Sequence, residues 1–291
     1  MDQDDITRIR NFGRSVAVEV GALEDSFLNR GRPLGSARVL NAIGLGYENV
    51  SDLRAKLKLD TGLLSRLLRG LEAEGLVETK PNPDDRRGRI STLTPAGETE
   101  FDIYETLSNE RAATILARHK QARRLLDAMD VVTITLSRDE IIFEETDYAS
   151  DIANACLSAF ARELSARLNL TFDLDNSGVQ ELSQMRPPLG SFVVARIGEM
   201  PVGCVGIKGN GGPVAEIKRM WITPAGRGLG LARRLMRTAE DAARNMGIKT
   251  LRLDTNSTLV EAATLYRNTG WVEIERFNDD PYPDLFFEKQ L

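Results

Sequence analysis

The sequence is poor in the residues that build metal and redox sites: it has one histidine, His119, and two cysteines, Cys156 and Cys204. One histidine excludes a metal site or a catalytic arrangement that needs several of them. The two cysteines match no metal-ligand spacing, and a disulfide would be unusual in a reducing compartment. We therefore expect no metal site, and we expect both cysteines to be small buried apolar residues.

Long apolar runs are also absent. None approaches the roughly 20 residues that a membrane-spanning helix needs, and the N-terminal sequence MDQDDITRIR does not resemble a secretory signal. With 42% hydrophobic and 28% charged residues, the 291-residue chain has the composition of a soluble protein with room for two domains. We expect a cytoplasmic protein without a membrane partner.

The chain also lacks a strong net charge. A formal charge of −5 at pH 7 argues against indiscriminate coating of nucleic acid. However, the stretch from Arg54 to Arg89 is locally basic, and a sequence-specific DNA-binding protein can act through such a patch.

Residues 48–78 read as two helices, joined by a tight turn and followed by a strand. Ser51 is predicted to cap the first helix and Asp60 or Thr61 the second. Leucines at helical spacing give the second helix a buried stripe, which leaves a polar, arginine-bearing face exposed, as in a helix-turn-helix. The buried stripe consists of Leu64, Leu67, Leu68 and Leu71. The predicted DNA-facing residues are Ser51, Thr61, Gly62, Ser65, Arg66 and Arg69.

The next segment, LVETKPNPDDRRGRISTLTPAG, predicts a β-hairpin and then a helix capped by Thr94 with Pro95 in its first turn. A hairpin after a helix-turn-helix is a wing. Its arginines, Arg86, Arg87 and Arg89, are placed to enter a DNA minor groove, whose negative potential attracts arginine.

The string DDRRGRISTLTPAG resembles the wing signature of MarR-family winged-helix repressors, with Asp85, Arg87, Leu93 and Thr94 at the family's positions. The resemblance covers roughly residues 1–140. It implies that Asp85 orients the wing arginines, that Arg87 reaches the minor groove and that the second helix of the pair reads the major groove.

The same resemblance implies a homodimer formed through the terminal helices. These are the apolar stripe within residues 4–26 and the helical region 95–130. The expected partner is double-stranded DNA with a near-palindromic operator, because two recognition helices related by a two-fold axis read half-sites about one helical turn apart.

Strands and helices alternate in the second half, which predicts a mixed α/β domain. Its first helix is expected over about 148–168, two strands meet at a Gly198 turn, and a third strand, VAEIKRMWI, precedes the loop RGLGLARRL. We place the domains at residues 1–145 and 146–291.

The loop between this third strand and the next helix carries Gly226, Gly228 and Gly230. Backbone N–H groups at a helix start favour an anion, and glycines let a diphosphate approach closely. The loop is neither a Walker A sequence nor a Rossmann G-x-G-x-x-G fingerprint.

In context, RGLGLARRL after EIKRMWITP resembles motif A of the GNAT acetyltransferases, and EAATLYRNTGW resembles their next motif. The resemblance covers about residues 146–291 and implies acetyl-CoA as the cofactor. It implies that loop amides hold the pyrophosphate, that the end of the strand pairs with the pantetheine arm and that Asn256 contacts the cofactor. The implied cofactor-binding residues are Met220, Trp221, Ile222, Arg227, Gly228, Leu229, Gly230, Leu231, Ala232, Asn256 and Tyr266.

Direct acetyl transfer requires an amine that loses a proton and a thiolate that gains one. Tyr266 is the predicted acid and Glu216 the predicted base. The alternatives are a core tyrosine with a satisfied hydroxyl, and a glutamate that only orients the acceptor or is solvated. A small amine or amino acid is the expected acceptor by analogy of fold. Candidate acceptor contacts are Asp173, Asp175, Arg186, Lys218 and residues 277–288.

The predicted fold is thus a mainly α winged helix-turn-helix domain of MarR type followed by a mixed α/β GNAT domain. The predicted function is a transcriptional regulator that is also an acetyl-CoA-dependent N-acetyltransferase. One alternative is a regulator whose second half only senses acetyl-CoA or a metabolite. Another is an acetyltransferase whose winged helix serves only for dimerisation.

Overall fold

The computed structural model describes residues 2–85, 88–169 and 183–291. The chain forms two compact units, Met1–Ala122 and Arg123–Leu291.

The first unit is built mainly from helices, with one hairpin between the last two. Its elements are α1 (Gln3–Glu19), α2 (Leu34–Gly44), α3 (Val50–Leu57), α4 (Thr61–Ala73), β1 (Val77–Pro81), β2 (Arg89–Leu93) and α5 (Pro95–Arg118). The hairpin register pairs Val77 with Leu93 and Pro81 with Arg89. The wing predicted from the sequence is therefore present.

Side-chain caps fix where the helices of this unit begin. Asp60 accepts a hydrogen bond from the Leu63 N–H at 2.8 Å, and Thr94 accepts one from the Gly97 N–H at 3.1 Å, as expected. The predicted Ser51 cap is wrong. Helix α3 begins at Val50, and its cap is Asn49, whose Oδ1 accepts a hydrogen bond from the Ser51 N–H at 3.0 Å.

The leucine stripe of α4 supplies much of the core of this unit. Leu64, Leu68 and Leu71 are buried, together with Leu40 of α2 and Leu53 of α3. This burial turns one face of α4 inward and leaves the opposite face exposed, as the helical spacing predicts.

A mostly buried carboxylate ties the segment before α2 to α5. Glu100 accepts hydrogen bonds from Arg30 Nε at 2.9 Å and Nη2 at 2.6 Å, and from Arg32 Nη1 at 2.8 Å. The hydrogen bond from Arg30, together with that from Arg32 and the charges of both arginines, outweighs burial and lowers the pKa of Glu100. The ionised form is therefore the form that this fold stabilises.

We expect Glu100→Gln to lower the free energy of unfolding by about 2 kcal/mol at neutral pH, because it removes charge-assisted hydrogen bonds from a buried site. The pKa is lower in the folded state, so this stabilisation is present above the pKa of the unfolded state and is lost as the pH falls through the folded-state pKa. Urea unfolding at pH 7 and in the acid range measures it. A gap between wild type and variant that does not shrink in acid contradicts the assignment.

The second unit contains a mixed sheet with helices against it. Its elements are α6 (Ala122–Leu136), β3 (Ile142–Glu145), α7 (Asp151–Leu168), β4 (Ser191–Ile197), β5 (Met200–Lys208), β6 (Val214–Ile222), α8 (Leu231–Asn245), β7 (Thr250–Thr255), α9 (Val260–Arg267), β8 (Val272–Glu273) and β9 (Leu285–Gln290). Within the described residues the strands form one seven-stranded sheet in the order β3-β4-β5-β6-β7-β9-β8.

The boundary between the units differs from the division at residue 145 that we expected. Strand β3 pairs antiparallel with β4, so residues 142–145 form part of the sheet of the second unit. Ile134 of α6 is fully buried in the same core as the sheet. The chain therefore divides after Ala122, because the residues that follow bury their apolar side chains in the second core.

The sheet opens between its only described pair of parallel strands, β6 and β7. Their pairing ends where Ile217 lies opposite Leu253, although β6 continues to Ile222. On the other side of β6, the register with β5 shifts between Cys204 and Gly206. Arg219 lies opposite this irregularity and has a positive φ of 56°. The irregularity bends the backbone at the end of β6.

Helices pack on both faces of the sheet. Alternate residues of β4 point to opposite faces, and Val193 packs in the core that contains α8 while Phe192 and Val194 pack in the core that contains α7. Cys156 and Cys204 are fully buried in the α7 core, as the sequence predicts.

Among the helices in the described ranges, none is long and apolar enough to cross a membrane.

Candidate functional site

The glycine loop that joins β6 to α8 has the backbone geometry of an anion site. Gly228 and Gly230 have positive φ values of 77° and 76°, a region that favours glycine. In this fully described loop, the N–H groups of Gly228, Leu229 and Gly230 donate to no backbone carbonyl, whereas the Arg227 N–H donates to Pro224 O at 3.3 Å. The first turn of α8 adds further unpaired N–H groups at the positive end of the helix dipole. The loop therefore presents a cradle of donors to an anion.

A cavity of about 590 Å³ opens beside this loop, between α7, the end of β6 and α9. It is lined by most of the predicted cofactor-binding residues: Met220, Trp221, Ile222, Arg227, Gly228, Gly230, Leu231, Ala232 and Tyr266. Leu229 packs against the core instead, and Asn256 does not line this cavity. The structure thus gathers in one cavity residues that the sequence places in separate motifs.

Glu163 of α7 joins three donors at the mouth of this cavity. Its carboxylate accepts hydrogen bonds from Trp221 Nε1 at 2.9 Å and Arg227 Nη2 at 2.5 Å, and it pairs with Arg167 Nε at 2.8 Å. The guanidinium of Arg227 is therefore already paired within the chain, with a carboxylate that it shares with Arg167. Sequence reasoning missed Glu163, although it lies three residues after the inward-facing Phe160 and so on the same side of the helix.

A second cavity, of about 320 Å³, extends from the first toward β7 and the segment before β9. The two cavities share part of their lining: Phe160, Leu164, Met220, Leu259, Ala262 and Tyr266. Tyr266 therefore lies where the two spaces meet.

Tyr266 is buried, and its ring packs against Trp271 and Phe287 with centroid distances of 6.0 and 5.7 Å. Burial, with a smaller contribution from the charge of Asp254, raises the pKa of Tyr266 well above its usual value. Within the described residues the hydroxyl donates to no protein acceptor.

A charged cluster centred on Lys218 lies at the second cavity, which is lined by three of its members, Lys218, Asp254 and Asp280. Lys218 Nζ lies 2.6 Å from Asp254 Oδ2, 3.2 Å from Asp280 Oδ2 and 3.2 Å from Glu216 Oε2. Burial alone lowers the pKa of Lys218, but the charges of Asp254, Glu216 and Asp280 outweigh it and raise the pKa above its usual value. Lys218 is therefore a charged, fully compensated ammonium.

Glu216, the predicted base, does not line either of the cavities that Tyr266 lines. It borders a third pocket of about 400 Å³ together with Lys208 and Arg252. The structure therefore brings Glu216 to Lys218 but not to the space in front of Tyr266.

The structure places the other candidate acceptor contacts in different parts of the second unit. Lys218, Asp280 and Tyr282 line the second cavity, as expected. Arg186 instead pairs with Asp147 at 2.8 Å, and residues 173 and 175 lie outside the described residues.

Asn256 lines the second cavity, and its side-chain amide is already engaged. Its Nδ2 donates to Tyr282 O at 2.7 Å, and its Oδ1 accepts from the Thr258 N–H at 3.0 Å. The asparagine therefore holds the segment before β9 against the end of β7.

The polar face of α4 forms the candidate DNA-reading surface of the first unit. The predicted α4 residues are all exposed: Thr61, Gly62, Ser65, Arg66 and Arg69. Ser51 is exposed at the start of α3, and Arg89 is exposed in β2. Arg86 and Arg87 lie outside the described residues. The structure therefore leaves open to a partner every predicted DNA-facing residue that it describes.

Comparison with known proteins separates the same two regions. The acetyltransferase (GNAT) family model matches residues 153–271, and the MarR family model matches residues 31–88. An IAA acetyltransferase of Azospirillum brasilense is 35% identical over 135 residues, which cover 44% of this chain and 86% of that protein. An uncharacterised N-acetyltransferase of Escherichia coli is 34% identical over 131 residues, covering 42% and 78%.

The helix-turn-helix region has relatives of its own. A multiple antibiotic resistance protein MarR of Salmonella typhimurium is 44% identical over 46 residues, which cover 16% of this chain and 32% of that protein. Among solved structures, a putative acyl-CoA N-acyltransferase of Klebsiella pneumoniae is 26% identical with a TM-score of 0.44, covering 52% of this chain and 97% of that one.

The sequence motifs, the opening between β6 and β7 and the family matches all indicate an acetyltransferase domain in the second unit. The chain belongs to the GNAT acetyltransferase family through its second unit, an acetyl-CoA-dependent acetyltransferase, and carries a MarR-type helix-turn-helix region before it.

Proposed function

We propose that the second unit transfers the acetyl group of acetyl-CoA directly to the nitrogen of a small amine or amino acid. The observation that carries this proposal is the position of Tyr266 on the shared wall of the two cavities. A thioester held from the glycine loop and an acceptor held in the second cavity meet at this hydroxyl.

The free site fits the cofactor. Donors at the loop have no backbone partner, and a Cβ built on Gly228 or Gly230 meets no atom within 4 Å, so there is room for a diphosphate. The N–H groups of Gly228–Ala232 would hold the diphosphate, and the open edge of β6 at Met220–Ile222 would hold the pantetheine arm. Acetyl-CoA supplies the activated acetyl thioester.

Side chains of the protein then donate and accept the protons that move during acetyl transfer. The lone pair of the acceptor nitrogen attacks the carbonyl carbon, the carbon–sulfur bond breaks, and Tyr266 donates its hydroxyl proton to the departing thiolate. The nitrogen loses one proton to a base. Glu216 lines neither cavity, so as that base it needs an intervening water molecule.

The test is a thiol-release assay across a panel of small amines and amino acids, with mass spectrometry of the products. The proposal expects CoA to appear only when a suitable amine is present, in step with an acetylated amine. Tight binding of acetyl-CoA without turnover on any amine would favour the alternative of a second half that only senses the cofactor.

For the first unit we propose a homodimer that binds a near-palindromic operator in double-stranded DNA. Support comes from the exposed polar face of α4 and from exposed apolar side chains along α1 and the turn after it. These apolar residues are Ile9, Phe12, Val16, Val20 and Leu23. Exposed apolar stripes are typical of interaction surfaces, and we infer that a second copy covers this one.

We expect Arg66→Ala or Arg69→Ala to weaken operator binding by about tenfold or more at fixed salt, because base or phosphate contacts by arginine are each worth about 1–3 kcal/mol. Arg237→Ala is the matched control, since Arg237 is an exposed arginine of α8 in the other unit. Fluorescence anisotropy with one operator fragment measures the affinities. Equal weakening by the control variant would mean that only the net charge matters.

A further inference from the structure

Asp254, at the end of β7, accepts hydrogen bonds from the described residues at only one of its two carboxylate oxygens. Its Oδ2 accepts hydrogen bonds from Lys218 Nζ at 2.6 Å and from Asn278 Nδ2 at 2.6 Å. Its Oδ1 accepts none from the residues in the described ranges. The side chain is only 15% exposed and lines the second cavity. A carboxylate oxygen in such a position is normally satisfied by a ligand or by water.

The neighbours of Asp254 fix both its charge and its direction. Lys218 and Asn278 approach the same oxygen, so the plane of the carboxylate is held while Oδ1 is left to the cavity. Lys218 is also compensated by Glu216 and Asp280, so three carboxylates surround one ammonium. Within these four side chains negative charge exceeds positive charge, so the ammonium of Lys218 is shared and does not by itself neutralise Asp254.

Asp254 also lies close to the proposed proton donor. Both Asp254 and Tyr266 line the second cavity, and the charge of Asp254 acts on the Tyr266 hydroxyl. Glu216 shares the ion pair with Lys218 but lies outside that cavity. Among the described residues that line this cavity, Asp254 and Asp280 are the anionic groups, and they lie beside the cationic Lys208, Lys218 and Arg219.

We propose that Asp254 Oδ1 accepts a hydrogen bond from the protonated nitrogen of the acceptor, so that the acceptor is a small primary amine bound as its ammonium ion. Asp254 is then the residue that places this nitrogen before the thioester. The inference rests on the proposed transfer to an amine and names the group that selects it. In this arrangement the amine enters the second cavity as an ammonium ion and first loses one proton to water, which frees the nitrogen lone pair for attack. The nitrogen loses its second proton to the base after it has attacked, and the product leaves as a neutral amide that Asp254 holds less tightly.

The first experiment is the steady-state kinetics of Asp254→Asn with the best amine of the panel. Because a charge-assisted hydrogen bond is lost, we expect kcat/KM for the amine to fall by about 10- to 100-fold, with most of the change in KM. The dissociation constant for acetyl-CoA, measured by calorimetry, is expected to stay unchanged. Glu240→Gln is the matched control: Glu240 is also a largely buried carboxylate that pairs with a lysine, Lys289, at 2.7 Å, but it lines neither cavity.

The second experiment needs no variant, since Asp254→Asn removes a partner of the buried Lys218 and can disturb folding. The wild-type enzyme is inhibited with a non-reactive tertiary ammonium analogue of the best amine and with the neutral isostere that lacks its charge. We expect the cation to bind at least about tenfold more tightly.

The outcomes separate the two proposals. Failure of the wild type to acetylate any amine rejects the proposed function itself. An active wild type that binds the cation and the neutral isostere equally overturns the inference about Asp254 alone. An unchanged KM for the amine in a folded Asp254→Asn variant, with a large rise in Glu216→Gln, also overturns it.

Discussion

Replacement of Tyr266 by phenylalanine is expected to lower kcat by about 10²- to 10⁴-fold, the usual contribution of a general acid. The variant removes only the hydroxyl. The ring keeps its contacts with Trp271 and Phe287, and the deleted oxygen leaves no unpaired partner among the described residues. Stability and acetyl-CoA affinity should therefore stay close to those of the wild type.

The measurement is kcat from thiol release at saturating acetyl-CoA and amine, with calorimetry of acetyl-CoA binding on the same protein. Tyr148→Phe is a suitable control, because Tyr148 is another buried tyrosine of this unit and lines neither cavity. A change in kcat of less than about twofold on Tyr266→Phe would assign proton donation to another group.

Gly230→Val is expected to weaken acetyl-CoA binding by about 100-fold, because the new side chain occupies the space of the diphosphate and displaces about two charge-assisted hydrogen bonds. In the free protein a Cβ on Gly230 meets no atom within 4 Å, so no clash prevents folding. The φ of 76° does strain a β-branched residue, at about 1–2 kcal/mol. The loss of affinity therefore comes with a modest loss of stability.

Gly247→Val separates these two effects. Gly247 follows the other end of α8, has a φ of 81°, and also has no atom within 4 Å of a built Cβ. It carries the same backbone strain outside the cavity, so its acetyl-CoA affinity should match the wild type. If calorimetry finds wild-type affinity in a folded Gly230→Val variant, the diphosphate does not bind at this loop.

Local sequence signals were sufficient for much of the fold. The leucine spacing in α4, the Asp60 and Thr94 caps and the hairpin strand at 89–93 were all predicted, because each depends on residues within a few positions of one another. Ser51 failed as a cap because Asn49, two residues earlier, offers an equally good acceptor and the helix begins directly after it.

Strand pairings between distant segments could not be predicted from local sequence signals. Strand β3 joins β4 across about fifty residues of chain, and no short motif announces that pairing. Strand β9 is likewise the partner of β7 although about thirty residues of chain separate them, and Val272–Glu273 adds only a short strand at the sheet edge. The division into compact units after Ala122 depends on the same pairing of distant segments.

In the candidate site, too, residues within short motifs were predicted from the sequence, whereas contacts between distant residues were not. The glycine loop and Tyr266 were found because each lies in a short stretch that resembles a family motif. The Lys218–Asp254 and Lys218–Asp280 contacts join residues 36 and 62 positions apart, so their spacing in the sequence carries no signal. Lys218 and residues 277–288 were candidates for the acceptor pocket, but Asp254 was not, because only the pairing of the strands brings it beside Lys218.

The most direct test of the account is a crystal structure of the chain with a non-hydrolysable acetyl-CoA analogue. The account predicts the diphosphate within hydrogen-bond distance of the N–H groups of Gly228–Ala232, and the sulfur position beside the Tyr266 hydroxyl. An analogue bound away from this loop, or with its sulfur position out of reach of Tyr266, would contradict it.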